Sequence, residues 1–95
     1  MVGSADEAVD RANDTPYGLS SGIITSDSDR GFQLAQRIQS GIVHVNDQSV
    51  GDEPQMPFGG VKDSGFGRFG GHAVVDEFTD VHWVTVQSGT HPFPF

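Results

Sequence analysis

The sequence predicts an α/β fold, and three observations predict it. Two short β-branched runs, Ile23-Ile24-Thr25 and Ile42-Val43-His44-Val45-Asn46, stand either side of an amphipathic stretch, the order of a βαβ unit. A capping pattern followed by an apolar stripe places another helix ahead of them. A long glycine-rich loop then separates this unit from a last short helix and an alternating, strand-like run.

Ser4 and Glu7 form the capping-box pair that opens the first helix. Ala5, Ala8, Val9 and Ala12 keep the i, i+3, i+4, i+7 spacing of its apolar face. The helix is expected to end near Asn13, because the residue before Pro16 disfavours the helical region and Gly18 relieves the backbone. Residues 23–25 supply the first strand. Ser26, Asp27, Ser28 and Asp29 offer side-chain oxygens to the orphan amides of a second helix, predicted over 28–39 with Phe32, Leu34, Ala35 and Ile38 buried. Gly41 follows its end. Residues 42–46 give the second strand, parallel to the first but not necessarily beside it. A parallel sheet is covered on both faces, which the helices of so short a chain can hardly achieve, so more structure is expected around it.

Six of the fourteen residues from Phe58 to Gly71 are glycine. Glycine serves backbone that takes positive φ or lies close against another surface. Pro57 fixes a torsion, and Phe58 and Phe66 are apolar anchors that a flexible linker would not need. The stretch reads as an ordered, close-packed loop, neither helix nor strand. A short helix over 72–78 and a strand over 81–87 follow. The prolines in 89–95 cannot join a ladder, so that tail should be extended.

The 95 residues make one domain at most, and a domain of this size buries about 60% of its unfolded surface. Thirteen acidic residues against five basic ones leave a net charge of -8, and Arg11, Arg30, Arg37, Lys62 and Arg68 are dispersed. Nucleic acid and anionic membrane both require clustered positive charge, so neither is expected as a partner. With no cysteine, disulfides, thiolate metal sites and a cysteine nucleophile within these residues are excluded. The first residues lack a basic and apolar leader, and a soluble cytoplasmic protein is expected.

Gly65-Phe66-Gly67-Arg68-Phe69-Gly70 satisfies G-x-G-x-x-G by letter but follows no predicted strand, which makes it a poor dinucleotide fingerprint. His44, His72, His82 and His91 lack the spacing of a helical metal pair, and no metal site is assigned. His44 reads as a hydrogen-bonded core imidazole. Asp47, Asp52 and Glu53 read as solvated loop carboxylates, since the calcium-loop offsets are absent. Lys62 and Arg68 are expected to hold loop carbonyls or to pair with carboxylates, not to act in catalysis.

Pro57-Phe-Gly-Gly-Val-Lys62 with Ser64-Gly-Phe-Gly-Arg68 resembles the C-terminal signature of the NAD(P)-dependent aldehyde dehydrogenase superfamily. Ala12-Asn-Asp-Thr-Pro-Tyr-Gly-Leu19, Ser40-Gly-Ile-Val-His-Val-Asn46 and Phe78-Thr-Asp-Val-His-Trp-Val-Thr-Val86 fall in that family's order. The tail 87–95 and the insert 52–54 look most like the branch acting on benzaldehyde, vanillin or salicylaldehyde. The resemblance implies a partial catalytic-domain βαβ unit over 1–79 and an oligomerisation strand with its tail over 80–95. It implies that Asp47, Gln48, Ser49, Val50 and Phe58 line a substrate tunnel, while Gly59, Gly60, Gly65 and Gly67 form the structural loop. Val81, Trp83, Val84, Thr85 and Val86 would make subunit contacts in a homo-oligomer.

The family attacks the aldehyde with a cysteine thiolate, passes hydride to NAD or NADP, and hydrolyses the thioester with a glutamate-assisted water. None of those groups, nor the cofactor domain, is expected within these residues. The resemblance therefore implies a C-terminal fragment or truncated homologue of an aldehyde dehydrogenase, supplying a substrate-tunnel wall and subunit contacts, which by itself is expected to bind no cofactor and to be inactive. The alternative reading is a stand-alone remnant that self-associates or binds a ligand without catalysis.

Overall fold

The computed structural model describes residues 1–90 together with Pro92. Helix α1 (Ala5–Asn13) starts as its capping pattern requires, with Ser4 Oγ accepting from the Glu7 N–H at 3.1 Å. The returning carboxylate of Glu7 takes the N–H of Gly3, one residue before the cap, at 2.9 Å. Val9 is the one apolar side chain buried among the described residues.

Strand β1 (Ser20–Ile23) begins earlier than the β-branched run suggests, because its position is set by its partner and not by propensity. It lies parallel and adjacent to β2 (Ile42–Val45), in the register Ser20 with Ile42 through Ile23 with Val45. The carbonyls of Gly18 and Leu19 accept from Gly41 and Ile42 at 3.0 Å each, and the Ile23 carbonyl accepts from Asn46 at 2.7 Å. Beyond Ile23 the ladder stops. Ile24 is 81% exposed, and the Thr25 N–H turns to the Asn46 side chain at 2.8 Å.

Helix α2 (Ser28–Ala35) is capped by Asp27, whose carboxylate accepts from the Arg30 N–H at 3.0 Å, and it stops well short of the predicted residue 39. The last turn tightens through i to i−3 bonds, Arg37 to Leu34 at 3.0 Å and Ile38 to Ala35 at 3.2 Å. Asn13 then captures the chain, taking the Gln39 N–H at 2.8 Å and donating to the Arg37 carbonyl at 2.9 Å. The burial prediction for this helix also needs correction. Its contact with the sheet centres on buried Gly31, where a Cβ would lie 2.7 Å from Val45 Cγ1 and 2.8 Å from Thr25 Cγ2. Leu34, Ala35 and Ile38 are half-buried, while Phe32, one position round the helix from Gly31, is 64% exposed.

The glycine-rich loop contains a single 3₁₀ turn (Lys62–Ser64) and a two-way antiparallel bridge between Phe58 and Phe69, so it is not free of regular structure. Helix α3 (Gly71–Phe78) follows as expected, its Phe78 ring tilted at 51° to that of Phe69 with centroids 6.0 Å apart.

The predicted strand over 81–87 is not one in this structure. Its backbone pairs with no described residue, and Val81, Trp83 and Val86 are almost fully exposed. A strand requires a ladder partner, and β1 and β2 pair only with each other. His91 and residues 93–95 of the predicted extended tail lie outside the described residues. No described helix is long and apolar enough to cross a membrane.

Candidate functional site

Side chains alternate along β2, and Val45 meets α2 at Gly31, so Ile42 and His44 point to the opposite face of the sheet. At the end of the strand Asn46 takes a left-handed backbone, φ 61°, a conformation that asparagine tolerates better than most residues. The turn carries 47–51 back across that face. Ser20 Oγ donates to the Ser49 carbonyl. Gly22, the register partner of His44, leaves its place open, so that Ser49 Cβ and the Asp47 carbonyl lie 3.6 and 3.7 Å from where a Cβ would stand. Gly51 lies over the His44 ring.

An open cleft of about 610 Å³ results, with Ile42 and His44 at the sheet side and Asp47, Gln48, Met56 and Phe58 among its walls. Of the five residues expected in the tunnel, the structure brings Asp47, Gln48 and Phe58 together there. Ser49 is tied to β1, and Val50 is 83% exposed; neither lines the cleft. His44 Nε2 is buried without a hydrogen-bond partner among the described residues, which corrects the reading of a satisfied core imidazole. The alternation of 42–45 could have placed His44 on the cleft side, but not the loop above it.

Phe58 is held from behind. Its N–H donates to the Phe69 carbonyl at 2.6 Å and its carbonyl accepts from the Phe69 N–H at 2.8 Å. The loop so closed docks on the turn before β1, where the Gly18 carbonyl also accepts from Val61 at 2.9 Å and the Gly18 N–H donates to Ser64 Oγ at 2.7 Å. Gly59 lies so near Gly41 that a Cβ on Gly41 would run into the Gly59 carbonyl, and a Cβ on Gly60 would stand 2.7 Å from Ser64 Cβ. Gly67 has φ 78°, whereas at Gly65 an added Cβ would meet only ordinary contacts.

Both cations of the loop hold carbonyls. Lys62 Nζ donates to Asn13 and Thr15 at 2.8 and 3.1 Å, and Arg68 Nη1 donates to Gly60 and Gly67 at 2.8 Å each. Lys62 sits at φ 53°, a conformation that costs a lysine about 1 kcal/mol and persists because its surroundings fix it. Residues 81, 83, 84, 85 and 86, expected to make subunit contacts, are exposed, and none lines the cleft.

The stretch Gly65 to Gly70 does not have the setting of a dinucleotide fingerprint: it follows a 3₁₀ turn and not a strand, and the Gly71 N–H at the start of α3 is committed to the Pro54 carbonyl at 3.1 Å. Among the described residues no group of three or more His, Asp or Glu side chains could hold a metal ion. The site offers a flat aromatic wall, an amide and carboxylates. It contains no nucleophile of the thiol type.

The sequence model of the aldehyde dehydrogenase family matches residues 1–84. Among curated relatives, a vanillin dehydrogenase of Pseudomonas fluorescens is 50% identical over 95 residues, covering 99% of this chain and 20% of the relative. A benzaldehyde dehydrogenase of Bacillus subtilis (strain 168) is 49% identical over 92 residues, 97% of this chain and 19% of the relative. The crystal structure of a salicylaldehyde dehydrogenase from Pseudomonas putida G7 with salicylaldehyde superposes with a TM-score of 0.87 at 42% identity, over 99% of this chain and 19% of that one. Solved aldehyde dehydrogenases also match with a TM-score of 0.78 from Mycobacterium tuberculosis with NAD+ (35% identity, 83% of this chain, 16% of that one) and, for a succinic semialdehyde dehydrogenase, from Streptococcus pyogenes with NADP+ (31%, 92% and 19%). The chain thus spans about a fifth of the length of the relatives it matches. With its family signature matched and its fold superposing on solved members, this chain belongs to the aldehyde dehydrogenase family.

Proposed function

We propose that the chain is the C-terminal portion of an aldehyde dehydrogenase subunit that oxidises an aromatic aldehyde to its carboxylic acid with NAD or NADP. The observation that carries this reading is the convergence of Asp47, Gln48 and Phe58 on one cleft, in a chain whose relatives include vanillin and benzaldehyde dehydrogenases. The nucleophile, the general base and the cofactor site belong to other parts of that subunit. Phe58 gives the substrate ring a flat apolar surface, excludes water beside it and limits its orientations, which raises the fraction of bound substrate in a reactive pose. Asp47 and Gln48 set the polar edge of the same surface. Ser49 and Val50 complete the loop that carries them. The exposed residues Val81, Trp83, Val84, Thr85 and Val86 form the subunit-contact strand of a cytoplasmic homo-oligomer, where a ladder partner from the second subunit completes them.

The test is an exchange enzyme, the Pseudomonas fluorescens vanillin dehydrogenase with its matching segment replaced by residues 1–95. It is expected to reduce NAD(P) with benzaldehyde or vanillin, and Phe58→Ala should lower kcat/KM for them by about 10- to 100-fold. An active exchange enzyme that is indifferent to Phe58→Ala would remove Phe58 from the site.

A further inference from the structure

The aromatic wall is built on a charged side chain that never reaches the cleft. Phe58 belongs to no helix or strand of the sheet, and its backbone is fixed by the two hydrogen bonds with Phe69. Those bonds close residues 58–69 into a loop whose interior carbonyls need donors. Arg68, next to Phe69, points its guanidinium into the loop, and Nη1 donates to the carbonyls of Gly60 on one arm and Gly67 on the other, each at 2.8 Å. The chain wraps the side chain closely, since a Cβ on Gly59 would stand 2.8 Å from Arg68 Cδ and 3.1 Å from Nη1. Gly60 stands two residues after Phe58 and Gly67 two residues before Phe69, so the guanidinium ties the two arms together directly behind the bridge that carries Phe58.

We infer that Arg68 is a positioning residue for aromatic substrates, holding the Phe58 wall at its angle to the cleft by clamping the Gly60 and Gly67 carbonyls together. This rests on the reading of Phe58 as a substrate wall. A hydrogen bond to a charged donor is stronger than a neutral one, and two shared by a single nitrogen constrain both arms at once. Loss of the clamp leaves two part-buried carbonyls underserved and lets the bridge swing with Phe58 on it. Consequently the defect should be felt in the binding of flat substrates more than in turnover, and only while Phe58 is present.

The experiment is a double-mutant cycle in the exchange enzyme, using Phe58→Ala, Arg68→Met and the pair, with benzaldehyde and a short aliphatic aldehyde as substrates. Methionine keeps much of the apolar stem and removes the donors. Arg68→Met is expected to raise KM for benzaldehyde about tenfold with a smaller change in kcat, and to have little further effect in the Phe58→Ala background. Arg68→Lys, which retains a donor, should recover part of the loss. If Arg68→Met does not fold, the Lys variant is put through the same cycle. Equal losses for aromatic and aliphatic aldehydes, or losses that multiply with that of Phe58→Ala, would make Arg68 a structural residue only and overturn the inference. If Phe58→Ala itself changes nothing, the wall reading fails and the inference with it. If Phe58→Ala is damaging but the two effects multiply, the wall stands and the inference alone fails.

Discussion

The side-chain amide of Asn13 accepts from Gln39 and donates to the Arg37 carbonyl, while its own backbone carbonyl takes the Lys62 ammonium. One residue therefore ends α1, ends α2 and receives the glycine loop. From the sequence only the first of these was legible, as a helix stop ahead of Pro16, because a long-range amide pairing leaves no local pattern. The cationic side chains were more legible: a loop full of backbone carbonyls needs donors, and Lys62 and Arg68 were the available ones. Glycines were legible as a group but not one by one. Gly41→Ala drives a methyl into the Gly59 carbonyl, backbone against backbone, whereas Gly65→Ala, at an extended φ of 160°, meets only ordinary contacts. In the exchange enzyme Gly41→Ala is expected to cost more than about 2 kcal/mol, and Gly65→Ala to stay within about 0.5 kcal/mol. Melting temperatures of the two variants check this, and equal shifts would contradict it.

At the scale of elements, α1, α2, α3 and β2 follow from caps, periodicity and β-branched runs, with boundary errors where tertiary contacts decide. Strand β1 moved onto Ser20, Ser21 and Gly22, residues of poor strand propensity, because Gly18 and Leu19 fix its register against β2. Helix α2 turned its glycine and not its phenylalanine to the sheet, since 2.7 Å between a Gly31 Cβ and Val45 leaves no room for a larger group. Segment 81–87 shows the converse failure, where alternation identifies a strand that has nothing to pair with among the described residues. If it is the subunit-contact strand, Thr85→Pro removes a ladder donor and should shift the exchange enzyme toward smaller species in size-exclusion chromatography. An unchanged elution position would argue that other surfaces hold the oligomer together.

For the molecule as a whole, the radius of gyration of 21.2 Å compares with about 12 Å for a compact chain of this length. Its accessible surface of 7843 Å² is about half as much again as the roughly 5,300 Å² of a self-contained domain of equal mass. With Val9 as the buried apolar side chain and Ile24, Phe32, Phe66, Phe78, Val81 and Trp83 exposed, the apolar surface needed for a core is present but not enclosed. A two-stranded parallel sheet leads to the same conclusion, since such sheets are interior to larger ones. The sequence signalled this through the mismatch between a βαβ unit and the helices available to cover it, but not how much apolar surface is left uncovered. All these features support the proposal that the chain is part of a larger subunit. The most direct measurement is the size of the native polypeptide in source cells, detected with an antibody against residues 80–90. Membership of a full-length dehydrogenase subunit predicts a band about five times the 10.1 kDa of these residues, matching the length of the relatives. A band at 10.1 kDa alone would contradict it and indicate a separate polypeptide.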